Sequence, residues 1–291
     1  MRRDRYEDHA MQQSTPARYI AAAVALFVLN TSAHASQVLF LNSGIGSDSG
    51  TCGSQTGAPC KTLQQAIDNA APGDTLYLVV AGDYGSATIN KALIIQGVLG
   101  AGVFSALDVP CVTVTAPPPG TITIKEFTCS QNSSNRHGIE SVSGTTLVLD
   151  QVVIKGNNTG NSGVVFEGAA NEILSISDSS MADFVFGVAV NKGKALLHNV
   201  TLSGNQTGFD ASASNTVDVQ ASLSNCLLTG NSSFGIFAIG ARATVNVRDT
   251  SITFNHTGLK PVNNGSLISL GGNSLAGNTT DGQFTSTSGP Q

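Results

Sequence analysis

Asp210, Phe237 and Lys260 are separated by 27 and 23 residues, and each stands two residues after a glycine, in Gly208-Phe-Asp, Gly235-Ile-Phe and Gly258-Leu-Lys. A carboxylate, an aromatic ring and an ammonium brought side by side could hold a sugar: the ring takes its C–H face and the charged groups its hydroxyls. The same position one and two units upstream is Ala189 and Val165, so no second carboxylate joins the set. Ahead of each turn, a second series of outward positions reads Asp150, Ser177, His198, Ser224 and Arg248. Neither series puts two carboxylates on adjacent units, as glycoside hydrolysis or a calcium site requires. Asp183 is one further acid of interest, because it stands where four other units carry Gly. As a nucleophile it needs a second acid, an oxyanion donor and a cation to fix it. No metal site and no cofactor is expected.

These residues recur because the chain recurs. An inward apolar residue, two residues of any kind and then Asn appear in Leu202-Ser-Gly-Asn205, Leu228-Thr-Gly-Asn231, Ile252-Thr-Phe-Asn255 and Leu275-Ala-Gly-Asn278. Ile154-Lys-Gly-Asn157 and Cys129-Ser-Gln-Asn132 keep the phase upstream, and Met181-Ala-Asp-Phe184 keeps it with Phe in the Asn position. From 132 to 278 the intervals are 25, 27, 21, 26, 24 and 23 residues. A period of this size built from short β-prone runs means a solenoid. Each unit holds three such runs. Alternating segments such as Leu147-Val-Leu-Asp150 and Val245-Asn-Val-Arg248 have the period of two of a half-buried strand. Polar turn residues follow: Gln151, Asp178, Asn199, Asn225 and Asp249. A second run ends at the Asn, which tolerates a left-handed backbone, and a third run follows Gly. Three strands per unit predict an all-β, right-handed parallel β-helix with one rung every ~4.8 Å. Asn132, Asn157, Asn205, Asn231, Asn255 and Asn278 then share one column. Positions 154, 181, 202, 228, 252 and 275 form an inward apolar stack. A leucine-rich repeat has a similar period but needs fixed Leu positions, and here the core is a mixture.

Composition agrees with short strands and tight turns. Only 11% of residues are charged, and there are 32 glycines and no tryptophan. With ten Lys/Arg and sixteen Asp/Glu beyond position 35, the net charge there is −6, and no basic stripe invites nucleic acid. Residues 1–35 read as a signal peptide. Arg18 closes a basic region, Ile20 to Leu29 is apolar, and Ala33-His-Ala35 supplies a cleavage site, with Met11 a candidate start. The ten-residue apolar run is too short to span a bilayer. Secretion or periplasmic export after cleavage near Ala35 is expected, with no membrane span in the mature chain. In that oxidising setting Cys52 and Cys60 are expected to staple a Gly/Pro loop. Cys111 and Cys129 can pair but both fall in strand phases, and Cys226 reads as a small buried hydrophobe.

Residues 36–73 form a preface to the solenoid. Val38 to Leu41 is a strand, and Thr62 to Ala70 an amphipathic helix with Leu63, Ala66, Ile67 and Ala70 on one face, stopped by Pro72-Gly73. A helix here is the natural lid for a solenoid's open end. The β-helix proper is expected over 74–284 and a polar tail over 285–291.

From Asp74 to Phe284 the chain resembles the pectin-lyase-like β-helix superfamily, and Cys60-Lys-Thr-Leu through Ala81-Gly-Asp-Tyr84 resembles the opening of secreted bacterial β-helix proteins. Asp183-Phe-Val-Phe-Gly187 resembles the motif carrying the nucleophilic Asp of pectin methylesterases. The Gln-Asp pair and the Arg motif of that family are missing, since the upstream unit reads Asn157-Asn-Thr-Gly-Asn-Ser and the next Arg is Arg242. His137-Gly138 is similar to a pair in polygalacturonases, whose acidic signatures are absent. The expected function is a monomeric, non-catalytic structural or glycan-binding module at a surface or in the periplasm, with extracellular polysaccharide as its partner. The alternative is a polysaccharide-active enzyme (lyase, esterase or epimerase) acting on an acidic polysaccharide.

Overall fold

In a computed structural model, residues 35–54, 57–104, 108–143, 145–168 and 171–289 are described. The expected leader and its candidate start at Met11 lie outside these residues, apart from Ala35. The strand ladders are parallel throughout and wind into a β-helix with three faces. Inward columns run along each face. On the first, Leu39, Leu76, Ile95, Ile124, Leu149, Ile176, Leu197, Leu223 and Val247 stack rung on rung. On the second, Val103, Cys129, Ile154, Met181, Leu202, Leu228, Ile252 and Leu275 do the same. On the third, Ile139, Val164, Val188, Phe209, Ile236 and Leu259 align. All of these are buried except Leu275, which is half-buried near the C-terminal end. The predicted stack from 154 to 275 is therefore the core of the second face.

The corners explain the polar punctuation. Glu126, Gln151, Asp178, Asn199, Asn225 and Asp249 join the first face to the second, and all have φ between 47° and 54°. One left-handed residue turns the chain sharply enough for the next inward residue, such as Val152, Val200 or Cys226, to re-enter the core. The free thiol of Cys226 is buried, and burial raises its pKa.

The Asn column is shorter than its spacing predicts. Asn205, Asn231 and Asn255 are buried, and each accepts a backbone N–H from the preceding coil while its amide donates to a carbonyl of that coil. Asn278 continues the pattern. Asn157 and Asn132 are exposed and stand outside it. Between the pairs Lys155–Ala182 and Gly160–Phe184 one strand has four residues and the other only Asp183, and this insertion carries Asn157 outward. Phe184 closes the column. Its N–H donates to the Asn205 side chain, and its ring fills the vacated space against Gly156 and Gly160, where a Cβ would approach ring carbons at 2.9–3.0 Å.

The helix spans Leu63–Asn69, capped by the Thr62 hydroxyl, and buries Leu63, Ala66 and Ile67. Lys91 Nζ donates to the Ile67 and Ala70 carbonyls at 2.9 Å, placing a cation at the negative end of the helix. The solenoid begins before this helix: Val38–Leu41 pairs in register with Thr75–Leu78, so the first rung precedes position 74. At the other end Ser286–Thr287 pairs with the strand Ser266–Ser269, one rung beyond 284. Two disulfides lie in the N-terminal part, Cys52–Cys60 and Cys111–Cys129. No helix among the described residues is long and apolar enough to cross a membrane.

Candidate functional site

The outer side of the third face collects the side chains best suited to contact a ligand. Its strands Thr207–Ser212, Phe234–Ile239 and Thr257–Val262 lie on consecutive rungs. The register pairs Asp210 with Phe237 and Phe237 with Lys260, so the three residues picked out by spacing share one outward column. Thr207, Phe234 and Thr257 form a parallel column beside it. The rings of Phe234 and Phe237 stack with centroids 5.0 Å apart and planes 12° from parallel. Both rings remain partly exposed and Lys260 is exposed.

Asp210 departs from expectation. The period of two places Asp210 on the outward side of its strand, yet only 5% of it is exposed. It lies between Ala189 and Phe237 on the flanking rungs and accepts a 2.8 Å hydrogen bond from the Ser212 hydroxyl. Burial pushes its carboxyl up to about 6, against the smaller opposing effect of that hydrogen bond. A carboxyl titrating there can donate or accept a hydrogen bond near neutrality.

The other candidates do not converge on it. Asp183 has φ 64°, beside 65° at Gly204 and Gly230 and 68° at Gly277, so it occupies the left-handed corner those glycines use. Its Oδ1 reaches over Gly204, 2.9 Å from where a Cβ would stand. Asp150 accepts from Ser177 at 2.7 Å on the first face, and Glu167 accepts from Asn191 on the third, so neither is hydrogen-bonded to Asp183. The predicted outward series Asp150, Ser177, His198, Ser224 and Arg248 is in register along the first face, with His198 bonded to Ser224. His137 lies near the third face's N-terminal end, its Nδ1 buried without a partner. Burial lowers its pKa, offset in part by Glu140 and Glu167. No group of three metal-ligating side chains occurs among the described residues.

Spacing alone missed Phe234 and Ser212. Phe234 precedes Phe237 by three, and a period of two sends such a pair to opposite sides. It escapes that rule because it opens its strand, directly at the corner. Ser212 stands two residues after Asp210, on the same side by that period, and this was the available signal.

No protein-family description matches the chain by sequence, and no curated protein does. Among solved structures, the crystal structure of pectate lyase Pel9A is similar, with a TM-score of 0.50 and 13% identity over 86% of this chain and 79% of that one. The likeness is one of fold: an all-β parallel β-helix.

Proposed function

We propose that this chain is a non-catalytic module that binds glycan on the outer side of its third face and works outside the cytoplasm, in the periplasm or beyond. The stacked pair Phe234–Phe237, set between Asp210 and Lys260, carries the reading. Two aromatic faces supply apolar area for a sugar ring with little loss of side-chain freedom, and the flanking carboxyl and ammonium can order its hydroxyls. The two disulfides fit an oxidising compartment. A glycan array probed with the purified chain and with Phe237→Ala tests it. The expected result is binding to one class of oligosaccharide that the variant loses while its circular dichroism is unchanged. An array without hits removes the reading.

A second reading, a polysaccharide-active enzyme, draws on the Asp210 carboxyl, whose pKa near neutrality suits a general acid. Asp183 is the other acid to test. Release of reducing ends, unsaturated ends or methanol from polysaccharide, lost in Asp210→Asn or Asp183→Asn while the variant stays folded, favours the enzyme. Under the binding reading no product appears, and Asp183→Asn leaves folding and glycan binding unchanged, since Asn supports the same left-handed turn.

A further inference from the structure

The strands that carry Asp210 and Phe237 continue, two residues on, to Ser212 and Ile239 on the same side. The chain then turns toward the first face, and there Ser212, Ser214, Asn215, Ile239, Asn263 and Asn264 line a depression of about 590 Å³. That volume lies within the range of small-molecule sites. It crosses three consecutive coils, a length of about 10 Å along the solenoid, enough for two sugar rings. We infer that this corner groove is the second half of the glycan site, and that its occupant is an uncharged glycan. The inference rests on the glycan-binding reading of the third face.

Three features carry it. None of the residues lining the groove is charged. Its polar groups are hydroxyls and carboxamides, and the side chains of Asn215, Asn263 and Asn264 are exposed, with no hydrogen bond to the protein among the described residues. A carboxamide offers both donors and an acceptor, as a sugar hydroxyl demands. The groove is also pre-shaped. Asn263 and Asn264 are held left-handed, at φ 51° and 64°, in a turn closed by the Gly265 N–H on the Val262 carbonyl. Gly240 and Gly265 let adjacent coils nest so closely that a Cβ on either would fall 2.3 Å from a neighbouring carbonyl oxygen. A ligand therefore meets a groove that need not reorganise.

Selection against acidic sugars follows from what borders it. Asp210, joined to the groove through Ser212, disfavours a carboxylate at that edge once it ionises. Of the lysines, Lys192 and Lys194 line a separate depression with Asp218 and Gln220, and Lys260 stands on the third face outside the lining of the groove. An oligogalacturonate placed in the Asn groove gains no cation there.

Isothermal titration of the purified chain with cellohexaose, xylohexaose, mannohexaose, laminarihexaose and hexagalacturonate tests both parts. The expected result is that one of the neutral hexaoses binds and hexagalacturonate does not. The double variant Ser214→Ala, Asn215→Ala then weakens binding at least tenfold with its circular dichroism unchanged. If Phe237→Ala abolishes neutral binding but the double variant leaves it intact, the groove is wrong and the third-face reading stands. Binding of hexagalacturonate alone overturns the neutral class. If none of the five binds, both the groove and the third-face reading fall.

Discussion

Asp210 concentrates the tension between stability and function in a single side chain. Its carboxyl, at about 6 in the folded chain, stands above the ordinary aspartate value of 3.8, so folding favours the protonated form. The sign follows from linkage. Between about pH 4 and pH 6 the unfolded chain releases this proton while the folded chain keeps it, so stability falls as pH rises through that window and levels off above it. A rise of this size corresponds to about 3 kcal/mol at most. Asp210→Asn keeps the shape and can keep the Ser212 hydrogen bond without the charge. Its melting temperature should exceed that of the parent chain at pH 7.5, and the two should converge near pH 4. Equal melting temperatures at pH 7.5 sink this account. The column of Asp210 was legible in the sequence because it follows the repeat. Its burial was not, because that depends on side chains packed from neighbouring coils, including a Phe234–Phe237 pair that breaks the period of two.

The asparagine column shows the same division among the strands and corners. Its four members from 205 to 278 were readable, since each ladder contact repeats once per coil and stamps its residue on the sequence. The loss of Asn157 from it was hidden, because the inserted residues leave intervals of 25 and 27 that look ordinary, and the exposure of Asn132 leaves no mark on the spacing. Position within the column sets what each amide contributes. Asn231 is buried, accepts from the Asn205 N–H at 3.0 Å, and donates to the Leu202 carbonyl and to Asn255 Oδ1. Asn231→Ala strands buried partners on two coils, at roughly 1–3 kcal/mol for each unsatisfied group. Asn278 is only half-buried, so water can replace part of its bonding. Denaturant titration should therefore show Asn231→Ala losing clearly more stability than Asn278→Ala. Equal losses would mean that the column contributes through strand pairing alone.

A solenoid has neighbours only along its axis, so its stability is a sum of coils and interfaces, and its two ends need not match. Here they differ sharply. The N-terminal end carries a buried helix face, the Lys91 contact to the helix carbonyls and both disulfides. The C-terminal end finishes in a two-residue exposed strand, with Leu275 and Phe284 only partly buried. Unfolding should begin there. Hydrogen exchange followed by mass spectrometry is expected to label 266–289 first and the strands within 75–104 and 121–130 last, with intermediate coils graded between them. Labelling that starts in the N-terminal coils, or reaches all coils together, contradicts this order. The gradient also bears on binding, because Phe237, Lys260 and the Asn263–Asn264 turn lie toward the weaker end. A ligand that binds only folded coils stabilises those coils most. Adding the bound neutral hexaose should slow exchange over 234–265 far more than over 75–104, and uniform slowing along the chain would place the ligand somewhere else.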